Sequence, residues 1–235
     1  MVLPLILAMT QSEIGAVSKL PHKIAWMSCH FSSGSEGITG IPEELPEGSI
    51  LILTDGESSR GHSRDLAAQQ LADAVQKLGC NSVLLDFQRP PDPESIAMVH
   101  AIVVALPCPA AVTTAYSEGL SCPIFLAPCP LHMPMADYLL PWRSREIWLE
   151  AALGQENITV TKHGTAFAPT YPVHVQGSSF YSEKLHCMYQ TNVSSDSITF
   201  TLFDTPETLK GKLHTAHALG VCRMVGLYQE LGAFF

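Results

Sequence analysis

The chain is predicted to be an α/β protein built as a (β/α)8 TIM-like barrel, reduced or irregular in places. Three observations predict it. Apolar runs of strand length recur along the 235 residues, helices with recognisable caps separate several of them, and one helix–Gly–strand unit ends in a polar tip, Asp86-Phe-Gln-Arg89. Such alternation argues for parallel strands joined by right-handed crossovers. A closed barrel and an open doubly wound sheet both satisfy it. No Gly-x-Gly-x-x-Gly and no P-loop occurs, so the nucleotide-binding open sheet lacks its usual mark and no cofactor is expected. The length suits a single barrel domain over residues 1–235.

Met1–Met9 is nearly all apolar. It is shorter than the about 20 residues that cross a bilayer, and it lacks the basic flank and small-residue cleavage site of a signal peptide. It is read as a packed segment, with residues 1–20 left without an assigned role. Ile24–Phe31 is the first clear strand, and Ser49–Thr54 is a continuous apolar run of the kind buried on both faces. Ser63 caps a helix whose Ala67, Leu71, Ala74, Val75 and Leu78 share one face, and Gly79 ends it. Ser82–Phe87 follows as a strand. Asp92-Pro93 opens a shorter helix. Of the apolar runs 102–106 and 110–115, the second is preferred as the strand. Cys122–Leu126 is another strand, Arg145–Leu153 reads as helix, and Asn157–Thr161 as strand. Residues 164–196, rich in Gly, Pro, Ser and aromatics at their start, are read as a long loop excursion. Ser197–Phe203 alternates Thr with apolar residues. Asp204-Thr-Pro-Glu207 starts a helix with Asp204 as cap, and Val221–Leu227 is the last strand.

Composition excludes several classes. Apolar residues make up 46% and charged residues 15%, with a net charge of −9 and pI near 5.5. A globular chain follows, and the absence of any basic run argues against a nucleic-acid partner. Seven cysteines, odd in number and without a C-x-x-C, read as free thiols in a reducing cytoplasm, a secreted form being the alternative. No metal site is expected from that spacing. His214 and His217 stand three apart on the last helix with no acidic or Cys partner nearby in sequence.

The order of these pieces resembles the family 18 glycoside hydrolases, the chitinase-like barrels. Leu85-Asp-Phe-Gln-Arg-Pro90 stands where that family reads Leu-Asp-Trp-Glu-Tyr-Pro. Ile50-Leu-Ile-Leu-Thr-Asp-Gly56 resembles its strand ending in Gly-Gly, and Phe203-Asp-Thr-Pro-Glu-Thr-Leu-Lys210 its segment before the final helix. Leu219–Val225 and Glu230-Leu-Gly232 resemble its last strand and ending. The resemblance implies a substrate-assisted mechanism. A glutamic acid protonates the leaving oxygen, the sugar's N-acetyl group attacks the anomeric carbon, and a neighbouring Asp orients the acetamide. In this chain Gln88 falls on the acid, and Asn81 and Leu84 fall on two further acidic positions; only Asp86 remains. An amide donates no acidic proton. The implied protein is therefore a barrel that has lost hydrolytic activity and binds carbohydrate.

The candidate ligand-binding residues are Asp86, Gln88, Asp55, Tyr116, Tyr228 and Trp142, at strand ends or in the Pro-rich loop, with an oligosaccharide or other glycan as partner. A rival expectation is an active glycosidase whose acid has moved to Glu57 or Glu118. A third is a barrel serving only as scaffold. Glu146 and Glu150, four apart and accompanied by Arg143 and Arg145, read as a solvated, salt-bridged helix face. Trp148 beside them reads as core.

Overall fold

The computed structural model describes residues 5–17, 23–32, 37–56, 59–169 and 178–234. In chain order these form β1 (Leu5–Met9), α1 (Gln11–Ala16), β2 (Ala25–Phe31), β3 (Ile38–Thr39), β4 (Ile50–Thr54), α2 (Arg64–Leu78), β5 (Ser82–Asp86) and α3 (Pro93–Ala105). Then come β6 (Ala110–Thr113), β7 (Ile124–Leu126), α4 (Met135–Leu139), β8 (Ile147–Ala151), β9 (Gln155–Thr161), β10 (Gly164–Pro169), β11 (Phe180–Ser182), β12 (Cys187–Val193) and β13 (Ser197–Phe203). The chain finishes with α5 (Pro206–Ala218), β14 (Val221–Leu227) and α6 (Tyr228–Leu231). Eight strands close into a parallel ring in the order β1-β2-β4-β5-β6-β7-β8-β14, and β14 returns to β1. The short β3 pairs antiparallel on the outside of β2. Gly40, just beyond β3, has φ +76, and any Cβ there would stand 1.9 Å from the Ser28 carbonyl oxygen. Only glycine fits that turn.

The expected alternation is present, and its caps hold it. The Ser63 Oγ accepts from Leu66 N, and Gly79 takes the left-handed conformation at φ 64 after α2. Asp92 caps α3 by accepting from Glu94 N and Ser95 N, with Pro93 in the first turn. That helix runs on to Ala105 and absorbs the apolar run 102–105. Thr205 caps α5, one residue after the expected Asp204. Asp204 instead accepts from Gly154 N, Thr208 Oγ1 and, at 2.8 Å, the buried Lys212 ammonium.

Three readings change. Leu5–Met9 is a barrel strand, closing the ring between β14 and β2. Arg145–Leu153, expected as helix, is strand β8: Ile147, Leu149 and Ala151 alternate with Trp148 and Glu150, and the strand is paired on both sides. Its Glu/Arg surface does not form either. Arg145 donates to the carbonyls of Cys122 and Ser117, and Glu146 accepts from Trp148 Nε1. Lastly, residues 164–196 are not simply loop. They supply β10, β11 and β12, which join β9 and β13 in a five-stranded antiparallel sheet ordered β10-β9-β13-β12-β11. This sheet is inserted between β8 and α5. Paired positions put Asn157, Thr159, Gln190, Asn192, Thr199 and Thr201 on one face of it.

The barrel interior is filled by Ala8, Ala25, Ile50, Ile52, Leu84, Ala111, Phe125, Trp148 and Val225. Two larger apolar layers lie between the strands and the surrounding helices. At the floor, the Arg223 guanidinium lies 4.5 Å over the Trp148 ring and donates to Asn81 Oδ1 (3.0 Å) and to Ser82 Oγ. Two positions that the resemblance marks as acidic are thus consumed: Leu84 by the apolar interior, Asn81 by this floor.

Candidate functional site

Strand alternation puts every second side chain of β4, β5, β8 and β14 inside the ring. Above the apolar layer, at the C-terminal ends, this brings Thr54, Asp86 and Glu150 together with Met27, Phe125 and Leu227 around one cavity of about 60 Å3. Active sites of such barrels lie at this end. Gly226 on β14 keeps the rim tight, since a Cβ there would meet Ala151 O at 2.7 Å.

Asp86 is half-buried and accepts a hydrogen bond at Oδ1 from Gln88 Nε2. Burial raises its carboxyl above the ordinary range; the Gln88 hydrogen bond opposes that rise and the Asp55 charge adds to it. Glu150 sits on β8, separated from β5 by β6 and β7, so it faces Asp86 across the ring. Burial first, then the charges of Asp86 and Glu230, push its carboxyl up to about 7. Glu230 itself is raised by burial, though it accepts from Leu153 N. Among the described residues no donor hydrogen-bonds the Glu150 carboxyl.

This shift fixes a stability dependence. The folded pKa of Glu150 lies above its unfolded value, so the associated stability is complete below about 4.5 and is lost as pH rises through about 7. Allowing for partial exposure, the loss amounts to roughly 2 kcal/mol. Glu150→Gln is expected to match the wild type in thermal melts at about pH 4 and to melt higher at about pH 8.5 by about 4–8 °C. A difference that does not grow with pH would refute this.

The polar tip after β5 is held from below by Asp55, which is 4% exposed. Its two oxygens accept from Gln88 N and Arg89 N, each at 2.9 Å. Arg89 in turn donates to Gly56 O at 2.8 Å. Asp55 therefore positions the tip and has both oxygens committed to backbone. Tyr116 is buried outside the ring, edge-on to Phe87 at 5.3 Å, with its hydroxyl donating to Arg89 O at 3.1 Å. Tyr228 and Trp142 pack against the outer apolar layer. Neither lines the mouth cavity. Glu118 is exposed in a turn after β6, and Glu57 lies outside the described residues. Of the expected residues, Asp86 and Gln88 meet at the mouth, and Asp55 and Tyr116 support them from beneath.

Glu150 was missed because its segment reads equally as helix. The signal that marks it is alternation: Trp148 is inside the barrel, and two residues on is inside again. Among the described residues no three His, Cys, Asp or Glu side chains gather to hold a metal ion, and no helix is long and apolar enough to cross a membrane.

No sequence-family model matches the chain, and no curated protein does either. Solved structures do. A family 18 chitinase from Cycas revoluta, in complex with (GlcNAc)3, superposes at TM-score 0.60 and 9% identity over 97% of this chain and 96% of that one. A glutamate-to-glutamine mutant of a class V chitinase from Nicotiana tobaccum, in complex with NAG4, gives TM-score 0.60 and 9% identity over 96% and 93%. The spore cortex-lytic enzyme SleL of Bacillus cereus gives 0.54 and 11% over 95% and 70%. Against SleL of Bacillus megaterium, at TM-score 0.44 and 12% identity, 76% of this chain spans 55% of that one. The chain thus has the barrel fold of the family 18 chitinases and the SleL-type cortex-lytic enzymes.

Proposed function

We propose that the barrel mouth binds short neutral glycans, with N-acetylated oligosaccharides as the first class, and that the protein has lost efficient glycoside hydrolysis. One observation carries the reading: Gln88 reaches Asp86 at the mouth, where the family resemblance expects a carboxylic acid beside that Asp. The pair keeps hydrogen-bonding capacity without an acidic proton at position 88. The chitinases of matching fold hold NAG4 and (GlcNAc)3, the former in a glutamate-to-glutamine mutant. An amide in place of a carboxylic acid is therefore compatible with a bound tetrasaccharide in such a barrel. Glu118 does not line the mouth cavity, which weakens the relocated-acid alternative built on it. Seven free thiols support a reducing, cytoplasmic setting.

Calorimetric titration with chitotriose and chitotetraose tests the binding. Saturable binding is expected, abolished by Asp86→Ala, together with thermal protection. Absence of heat and of protection at millimolar glycan would leave the barrel as a scaffold.

A further inference from the structure

Resting on that reading of the mouth, we propose that Glu150 is its specificity-determining residue: a neutral carboxylic acid that donates a hydrogen bond to an uncharged ligand group and is lost as a donor when it ionises. Four observations support this. Glu150 and Asp86 line one cavity from strands on opposite sides of the ring. The rest of the lining is almost wholly apolar, with Thr54 the other polar side chain. Among the described residues nothing donates to the Glu150 carboxyl, whereas Asp86 has Gln88 and Asp55 has two backbone amides. Finally, the cavity, at about 60 Å3, has the volume of about two water molecules. It takes a substituent of a sugar, such as a hydroxyl or a small amide, while the ring rests above.

The charges around Glu150 all favour its neutral form. Asp86 on β5 and Glu230 on α6 repel its anion. Behind it, towards α5, Lys212 lines a pocket shared with Glu150, and Asp204 already pairs with that ammonium at 2.8 Å. Tyr138, whose hydroxyl donates to Ala127 O, is pushed up to about 12 and stays uncharged. Among the described residues no charge offsets a second negative charge beside Asp86. A ligand group that arrives with its own carboxylate meets that same field and is excluded. The mouth therefore selects a neutral polar group, which accepts from Glu150 and donates to Asp86, over an acidic sugar.

The test is titration of chitotriose into the wild-type protein, Glu150→Gln and Glu150→Ala between pH 5.5 and 8.5. The free-protein ionisation of Glu150 is followed in parallel by 13C NMR of its side-chain carboxyl. With the acid form required and a midpoint near 7, wild-type affinity falls about 30-fold from the acid plateau to pH 8.5. Glu150→Gln, which keeps a donor, binds within about threefold of wild type at pH 5.5 and stays level to pH 8.5. Glu150→Ala is weak throughout. Replacing chitotriose by a glycan of the same length bearing a carboxylate abolishes binding at every pH. Binding of chitotriose that does not change with pH, or a carboxyl midpoint below 5, overturns this inference and leaves the glycan-binding reading standing. Failure of every glycan at every pH overturns both.

Discussion

Gln88→Glu is expected to raise hydrolysis of a fluorogenic chito-oligosaccharide by about 10²–10⁴-fold over the wild-type protein, the range of general acid–base assistance. The residue stands exposed at the rim with its side chain already aimed at Asp86. A carboxyl placed there would share a proton with Asp86, because two carboxylates in contact resist ionising together. The shared proton is the one a leaving glycosidic oxygen needs. The gain should disappear in Gln88→Glu combined with Asp86→Asn, and it should follow a bell-shaped pH profile. Equal turnover in Gln88→Glu and wild type would show that position 88 is not the place of the missing acid.

Asp55→Ala is expected to cost about 3–5 kcal/mol in urea unfolding, the scale of two charge-assisted hydrogen bonds with their donors left unmet. Asp55 is almost fully buried, and both its oxygens hold the tip that carries Gln88. Asp55→Asn retains one acceptor oxygen and turns an amide donor towards a second donor, so it should lose a large part of the same energy. Both variants should also weaken glycan binding, because the tip that positions Gln88 is released. A loss under 1 kcal/mol for the alanine variant would mean that the tip is held by the strand alone.

Much of the barrel was legible because its strands are buried on both faces. Ser49–Thr54 reads as a continuous apolar run and Ser82–Phe87 as a buried strand, and the caps at Ser63, Gly79 and Asp92 mark helix ends through local hydrogen bonding that the sequence states directly. Illegible parts share a different cause. β8 has five residues of mixed apolar and long polar type, and such a segment has no period of its own until its neighbours pair with it. Glu150 was lost with it. The inserted sheet is held by antiparallel pairing between stretches such as 157–161 and 197–203, and pairing partners are not written in local composition. Tyr116 and Asp55 were recognised as standing at strand ends, but whether a side chain turns into the mouth or beneath the tip depends on register and on where the loop crosses.

The seam of the ring carries a consequence for how the chain comes to be folded. β1 pairs with β14 from Leu5↔Met224 to Ala8↔Leu227, so the first described strand waits for the last. Its other edge meets β2 through only two residue pairs. Until β14 has been made, β1 has half a socket and β8 has an open parallel edge. Such long-range closure is slow, and the half-closed species exposes apolar strand edges prone to association. Yield on refolding should therefore be limited by concentration, and chaperones that shield a nearly finished ring would matter more to this protein than any single contact in its completed form.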